Sequence, residues 1–329
     1  MKTGNAVFHL LLGILFVLCC AGAFTGAAAA DSPDLAALVE GNSASAFDLY
    51  SALAGEKGNL FLSPYSISSA LAMAYAGARG ETAAQMEKTL RFGLPAARIH
   101  PAFSELARIF NAPGKSYRLS VANALWAQAG LKFVPEYLEV VSRYYEAGFR
   151  EVDYAQTELA RQTINRWVEE KTEKKIVELI KPGILNTLTR LVLTNAIYFK
   201  GQWESRFDPA QTRKAPFYLS DREKADVPMM HQTGKFKYAE TEEAQLLELP
   251  YSGGELAMAV LLPTPQTGLA GLEASLRADE VQSLLAGLAP RKVEVYLPRF
   301  KLEKEFSLGE TLQKMGMRDA FDMNAADFS

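Results

Sequence analysis

A chain of 329 residues with 49% hydrophobic composition can bury a sizeable core in one large domain or two small ones. Its 35 basic and 38 acidic residues nearly cancel. That argues against a nucleic-acid binder, which needs a basic excess, and against a polybasic membrane-surface face. No stretch is long and polar enough to read as disordered.

Residues 1–30 read as a signal peptide, with residues 31–329 as the folded domain. Lys2 is the only charge in the leader, an apolar stretch runs from Leu10 to Leu18 and weakly on to Phe24, and Ala28-Ala29-Ala30 offers small residues for cleavage before Asp31. The rival reading is an uncleaved membrane anchor, because Ala6 to Phe24 approaches spanning length. A lipoprotein site is disfavoured, since neither Cys19 nor Cys20 follows a small residue. Both cysteines lie in the leader, so the domain has no disulfides and must be held by its core. No N-x-[ST] acceptor is present.

Ser63-Pro64 supplies an N-cap and a first-turn proline, and Ile67, Ala70, Leu71, Ala74 and Ala78 follow at helical spacing. The pattern predicts a helix with one buried stripe. Gly77 and Gly80 bracket its exit. Thr82 and Gln85 read as the capping box of a second helix, running to about Leu90 and stopping at Gly93. Tyr117 to Ala127 reads as a strand rich in Ala and Ser, as under a closely packed helix. One helix is expected from Pro135. Another follows Thr157, with Ala160, Ile164, Trp167 and Val168 on one face and Lys181-Pro182-Gly183 as its end.

Leu191 to Phe199 is nearly all apolar and reads as a central strand covered on both faces. Gln245 to Pro250 and Leu256 to Pro263 read as a hairpin through Tyr251-Ser252-Gly253-Gly254. Lys292 to Leu297 turns Val293, Val295 and Leu297 inward. A last helix opens on a capping box of Ser307 and Glu310 and buries Leu308, Leu312 and Met315. Without repeats or linkers after Asp31, the elements suggest one interleaved α+β domain.

Chemistry is sparse. His100 and His231 each stand without a neighbouring Cys or paired carboxylates, so neither a metal site nor a His-based triad is supported. No nucleophile elbow, P-loop, dinucleotide fingerprint or H-E-x-x-H occurs. Glu169-Glu170 and Glu242-Glu243 sit in polar runs and read as solvated. The same holds for Lys171, Lys174 and Lys175, interleaved with Glu169, Glu170 and Glu173. No catalytic residue, metal or cofactor is expected. Two features stand out: Asn195 inside an apolar strand, and Ser63, Ser66 and Ser68 at the entry of an apolar helix. By themselves they read as caps and one satisfied core amide.

Five blocks carry a family resemblance. They are Asn59 to Met86 (NLFLSPYSISSALAMAYAGARGETAAQM), Thr194 to Phe207 (TNAIYFKGQWESRF), Val227 to Tyr238 (VPMMHQTGKFKY), and Leu249-Pro250-Tyr251 with Met258 to Pro263. The fifth is Leu297 to Lys301 with Leu312, Met315-Gly316, Phe321 and Ala326 to Ser329. In this order they resemble the serpins, the serpin-fold serine-protease inhibitors, from about Asp34 to Ser329. The resemblance implies an α+β serpin fold of three β-sheets surrounded by helices. It also implies a suicide-substrate inhibitor whose cleaved loop enters the main sheet as a new strand, releasing stored strain.

By resemblance, Ser63, Pro64, Ser66 and Asn195 match the shutter beneath the opening of that sheet, and Trp203 matches the breach where insertion starts. The implied partner is a target protease of the serine or, second, the cysteine class. A monomer is expected, with no cofactor and no nucleic acid, and the leader adds secretion, to the extracellular space or to the periplasm of a Gram-negative host, with no membrane contact after cleavage. A non-inhibitory serpin acting as a binding or carrier protein is the alternative. An unrecognised secreted hydrolase is a weaker one, opposed by the poor inventory of nucleophiles and bases. In the family, Ala-Asp-Phe-Ser is followed by a strand, a hinge, the reactive loop and the last strands. The scissile bond is therefore expected beyond Ser329, leaving the fold incomplete at the C-terminus and target specificity unreadable.

Overall fold

The structure is a computed structural model and describes residues 6–9, 20–21, 32–56, 58–112, 114–145, 148–219, 223–302, 308–322 and 324–328. Most of the expected leader, including Lys2, the Ala-rich exit and Asp31, lies outside the described residues, as does Ser307. Within the leader stand two short strands, β1 (Ala6–His9) and β2 (Cys20–Ala21). Among the described residues no helix is long and apolar enough to cross a membrane.

In chain order there follow α1 (Pro33–Leu53), α2 (Pro64–Tyr75), α3 (Gly80–Thr89), α4 (Ala96–Phe110), β3 (Arg118–Gln128), α5 (Pro135–Tyr145), β4 (Gly148–Val152) and α6 (Thr157–Lys171). Then come β5 (Leu191–Lys200), β6 (Arg213–Tyr218), β7 (Lys224–Glu240), β8 (Ala244–Pro250), β9 (Leu256–Pro263), α7 (Gly268–Ser275), α8 (Ala278–Ala286), β10 (Ala289–Pro298) and α9 (Gly309–Lys314). They form two compact units.

The helical unit (Ala27–Ala52, Leu62–Lys200, Phe306–Ser329) contains a three-stranded sheet in the order β4-β3-β5. β3 lies in the middle, parallel to β4 and antiparallel to β5, with Asn123 opposite Asn195. Among the described residues the strand expected to be central pairs on one side only, with β3, and its first residue Leu191 is 43% exposed. Ala160, Ile164, Trp167 and Val168 bury themselves together with Ala124, Trp126, Val152 and Tyr154, which makes α6 the lid of the sheet. That apolar stripe is the one its sequence spacing predicts.

The helix ends at Lys171, ten residues before Lys181, and Thr172 bonds its hydroxyl to the Val168 carbonyl at 2.8 Å and receives the Ile176 amide on it at 3.1 Å. Glu173 and Lys174 follow with φ of 51° and 59°, which leave the helical region. Asn165 then pins the outgoing chain, donating to the Ile180 carbonyl and accepting from the Ile180 amide, each at 2.8 Å.

Two other expectations need correction. The most buried face of α2 is Ser66, Ser68, Ser69, Ala70, Ala72, Met73 and Tyr75, while Ile67, Leu71 and Ala74 are only half-buried. The helix packs on β5, and small side chains allow the close approach. Thr82 and Gln85 form no capping box: α3 starts at Gly80 with Arg79 as its N-cap, and both side chains point to other partners. The sequence reading also passed over α1 and α4. Pro101 disguises α4, whose Ile99, Phe103, Leu106 and Phe110 nonetheless recur at helical spacing and are buried. In α9, Leu312 is buried as expected, but Met317 takes the place assigned to Met315.

The sheet unit (Met1–Gly26, Leu53–Phe61, Gly201–Glu305) is built on strands in the order β1-β10-β7-β8-β9-β2, with β6 paired to β7. β8 and β9 form the expected hairpin, closing at Pro250 opposite Ala257. Gly253 and Gly254 adopt φ of 95° and 69° in its turn, a region that glycine enters without a Cβ penalty. β10 buries Val293, Val295 and Leu297 as read. The expected three sheets appear as two among the described residues. The 17-residue β7 pairs with β6 over residues 224–229, with β10 over 229–238 and with β8 over 237–240, so separate ladders run together.

Candidate functional site

The shutter candidates lie in the helical unit. Ser63 is the residue before α2, extended at φ −114° and ψ 97°, and its side chain makes no cap hydrogen bond. Its carbonyl accepts from the Ile67 amide at 3.0 Å instead, and Pro64 starts the helix with a backbone that needs no donor. Ser66, Ser68 and Ser69 are 2%, 3% and 3% exposed. α2 therefore turns hydroxyls inward where a helix facing a sheet usually turns aliphatic side chains.

From the middle strand, Asn123 donates its Nδ2 to Ser69 Oγ at 3.1 Å. Asn195 sits opposite Asn123 in the β3–β5 ladder, and its amide lies outside the described side chains. Ser68 Oγ is buried without a hydrogen-bond partner among the described residues.

Beside this cluster the sheet is tied by buried polar bonds. Trp126 Nε1 donates to Thr194 Oγ1 at 2.8 Å, joining β3 to β5, and Tyr154 donates its hydroxyl to the Trp126 carbonyl at 3.0 Å. The Arg150 guanidinium covers the rings of Trp126 and Trp167 at 5.6 and 6.0 Å, within cation–π range.

Trp203 lies in the sheet unit, stacked on Tyr251 with ring centroids 4.6 Å apart and 11° between planes. The Glu204 amide donates to the Pro250 carbonyl at 2.9 Å, and the Ser252 amide to the Gln202 carbonyl at 2.7 Å. The chain at Trp203 is thus zipped to the β8–β9 turn. Ser63, Pro64, Ser66 and Asn195 gather around α2 and the β3–β5 ladder, whereas Trp203 belongs to a separate cluster.

The histidines are not alone in space. His100 is buried, its Nδ1 lies 2.6 Å from the Tyr145 hydroxyl, and burial pushes its pKa down to about 4. His231 reaches Glu294 on the neighbouring strand at 3.0 Å and stacks on Tyr296, whose hydroxyl donates to the same carboxylate at 2.7 Å. The partners are 45 and 63 residues away in sequence, so local motifs could not reveal them. Among the described residues no group of three or more His, Cys, Asp or Glu side chains could hold a metal ion.

Ser69, Asn123 and the Trp126–Thr194 bond escaped the sequence reading. The signal for Asn123 was the same as for Asn195, a lone amide inside an apolar strand.

The family model for the serpins (serine protease inhibitors) matches residues 40–329. The chain is 41% identical over 303 residues to the leukocyte elastase inhibitor of Homo sapiens, covering 89% of this chain and 80% of that protein. Against Serpin B8 of Homo sapiens it is 42% identical over 299 residues, covering 89% and 79%. Among solved structures, ovalbumin from emu (Dromaius novaehollandiae) superposes with a TM-score of 0.85 at 33% identity, covering 89% of this chain and 80% of the other. Cleaved Serpin 42Da superposes with a TM-score of 0.84 at 33% identity, with the same coverage. The matched family and the leukocyte elastase inhibitor are protease inhibitors, not enzymes. The chain belongs to the serpin family.

Proposed function

We propose that the protein inhibits a serine protease as a suicide substrate, its cleaved loop entering the sheet β4-β3-β5 as an added strand. The observation that carries this reading is the hydroxyl face of α2 against β5, with the Ser69–Asn123 bond at its centre. Close-packed aliphatic contacts lose much of their attraction when a strand shifts by a fraction of an ångström. Hydroxyls and amides can exchange one partner for another, so such an interface tolerates two positions of the sheet. On this reading Ser63, Pro64, Ser66 and Asn195 form the shutter, joined by Ser69 and Asn123, and Trp203 marks the breach. The β5 edge offers backbone groups to an incoming strand.

The leader supports export, with a mature chain beginning near Asp31 and acting outside the cell, or in the periplasm of a Gram-negative host. Ser32 Oγ donates to Glu105 at 3.1 Å and accepts from the Leu35 amide at 3.4 Å, and Arg98 pairs with Asp34. These contacts hold the start of α1, two residues past Asp31. The inhibitor acts as a monomer, with cysteine proteases as the second target class.

The experiment mixes the full-length protein with a panel of serine and cysteine proteases and looks for a covalent adduct on denaturing gels. An adduct with a serine protease is expected, and cleavage without any adduct defeats the reading. Sequencing the N-terminus of exported protein should give Asp31, and Met1 retained in a membrane fraction defeats the export proposal.

A further inference from the structure

The interior between α2, α4 and α5 is built from aromatic rings, and a histidine stands among them. Tyr65 meets Phe110 edge-on with centroids 5.2 Å apart, and Phe103 meets Tyr145 at 6.0 Å. His100, 5% exposed on the buried face of α4, lies edge-on to Tyr145 of α5 at 5.7 Å and 6.1 Å from the ring of Tyr75. Among the described residues its one hydrogen bond joins Nδ1 to the Tyr145 hydroxyl at 2.6 Å. α4 meets α5 through this contact.

A second proton on His100 finds neither water nor a counter-charge. α2 has no charged residue, and its titratable groups are the phenols Tyr65 and Tyr75. Glu87 of α3 accepts from the Tyr75 hydroxyl at 3.3 Å and makes no bond to the imidazole. α5 turns Tyr137 and Tyr145 inward, with phenols that burial pushes up, the first to about 12. Its Glu136, Glu139 and Arg143 are exposed. On α4 itself Arg108 is exposed, Arg98 pairs with Asp34, and Glu105 accepts from Ser32 Oγ at 3.1 Å. The charged form of His100 is therefore penalised in this site, as its pKa near 4 also indicates.

The other polar ties of α4 run to α1 and to Ser32 just before it. The hydrogen bond from Arg98 holds the Asp34 carboxyl below its ordinary range, so mild acid leaves that pair intact. α4 is thus joined to α1 by an ion pair that mild acid spares, and to α5 by a buried joint that a proton opposes.

We propose that the His100–Tyr145 contact is an acid-operated latch: in mild acid α4 comes away from α5 ahead of the sheet β4-β3-β5, and neutral solution closes it again. Opening returns the imidazole to water, where it binds protons with ordinary affinity. Each pH unit below about 6.5 then multiplies the open population by about tenfold, until the closed form takes the proton too. Once undocked, α4 has only 15 residues with Pro101 inside, too short to keep its backbone bonds alone in water. Its amides therefore report the opening.

The test measures hydrogen exchange of the full-length protein from pH 7 to pH 4.5, corrected for the intrinsic pH dependence of exchange, with and without sub-denaturing urea. Amides of α4 are compared with those of the β3–β5 ladder. Protection in α4 should fall by about tenfold per pH unit between about pH 6 and pH 4.5. It should stay at least about tenfold below that of the ladder and respond little to urea, as an opening that exposes little surface predicts. Return to pH 7 should restore it.

His100→Gln, which cannot take the charge, should abolish the slope. Tyr145→Phe should lower α4 protection by about fivefold at every pH and keep the slope, as the loss of one hydrogen bond implies. His231→Gln, in the sheet unit, should leave α4 as in wild type. Flat protection in wild-type α4 overturns the latch without recourse to any variant. Equal protection and equal urea response in α4 and the ladder mean that only whole-molecule unfolding occurs, which also overturns it. A slope that survives His100→Gln, or protection that stays lost at pH 7, does the same.

Discussion

Ser69→Ala removes the hydroxyl that receives the Asn123 amide at 3.1 Å, at a site only 3% exposed. A hydrogen bond contributes about 1 kcal/mol net, and a loss of about 1–3 kcal/mol is expected where a buried polar group loses a partner. At roughly 2–4 °C per kcal/mol for a chain of this size class, the melting temperature should fall by several degrees. If the shutter holds the sheet closed, the same loss lowers the barrier to spontaneous insertion or polymerisation. About 1.4 kcal/mol is tenfold in rate, so a loss of about 1–3 kcal/mol should shorten the half-life of inhibitory activity by about 5- to 150-fold. The assay incubates the full-length variant at physiological temperature, follows residual inhibition, and runs native gels for polymers. A double-mutant cycle with Asn123→Ala should return a coupling of about 0.5–1.5 kcal/mol. A variant that melts lower but loses inhibition no faster than wild type refutes the gating argument, and zero coupling refutes the contact.

Three further outcomes concern stability. Burial holds His100 near pKa 4, below its usual 6.5, so the unfolded chain takes the proton first; stability is complete above about pH 6.5 and is lost as the pH falls toward 4, by up to about 3 kcal/mol. His100→Gln should flatten that part of the melting-temperature profile, and a wild-type profile already flat there contradicts the assignment. Gly41→Ala would place a Cβ 2.1 Å from the Arg91 carbonyl oxygen, a backbone atom that no rotamer change can move. It should cost about 1–3 kcal/mol in a denaturant titration, and an unchanged midpoint means the two segments separate freely. Thr194→Val keeps the volume but leaves the Trp126 indole, 1% exposed, without its acceptor. A loss of about 1–3 kcal/mol is expected, with Thr194→Ser recovering most of it.

Where periodicity and burial coincide, the sequence was legible. The stripe of α6, the β8–β9 hairpin and the inward valines of β10 all follow from spacing that one covered face dictates. The reading failed where a tertiary contact decides. α6 stops at Lys171, where Glu173 and Lys174 turn to positive φ and Asn165 holds Ile180 across the exit, while the conspicuous Pro182-Gly183 lies farther along. Thr82 and Gln85 have the right types and spacing for a local cap, and their partners are 245 and 234 residues away. Of the site, Ser66 could be singled out because a hydroxyl on an apolar helix is conspicuous. Ser69 and Asn123 gain meaning only when β3 is laid beside β5 and under α2, which sequence spacing does not specify.

Inhibition by strand insertion is tested most directly by the melting temperature of the full-length protein before and after a non-target protease cuts its exposed loop. Insertion completes the sheet and releases the strain stored in the intact molecule, so the cut protein should melt well above the intact one. A cut protein that melts at the same temperature or lower contradicts the account, because its sheet then has no second, more stable state to reach.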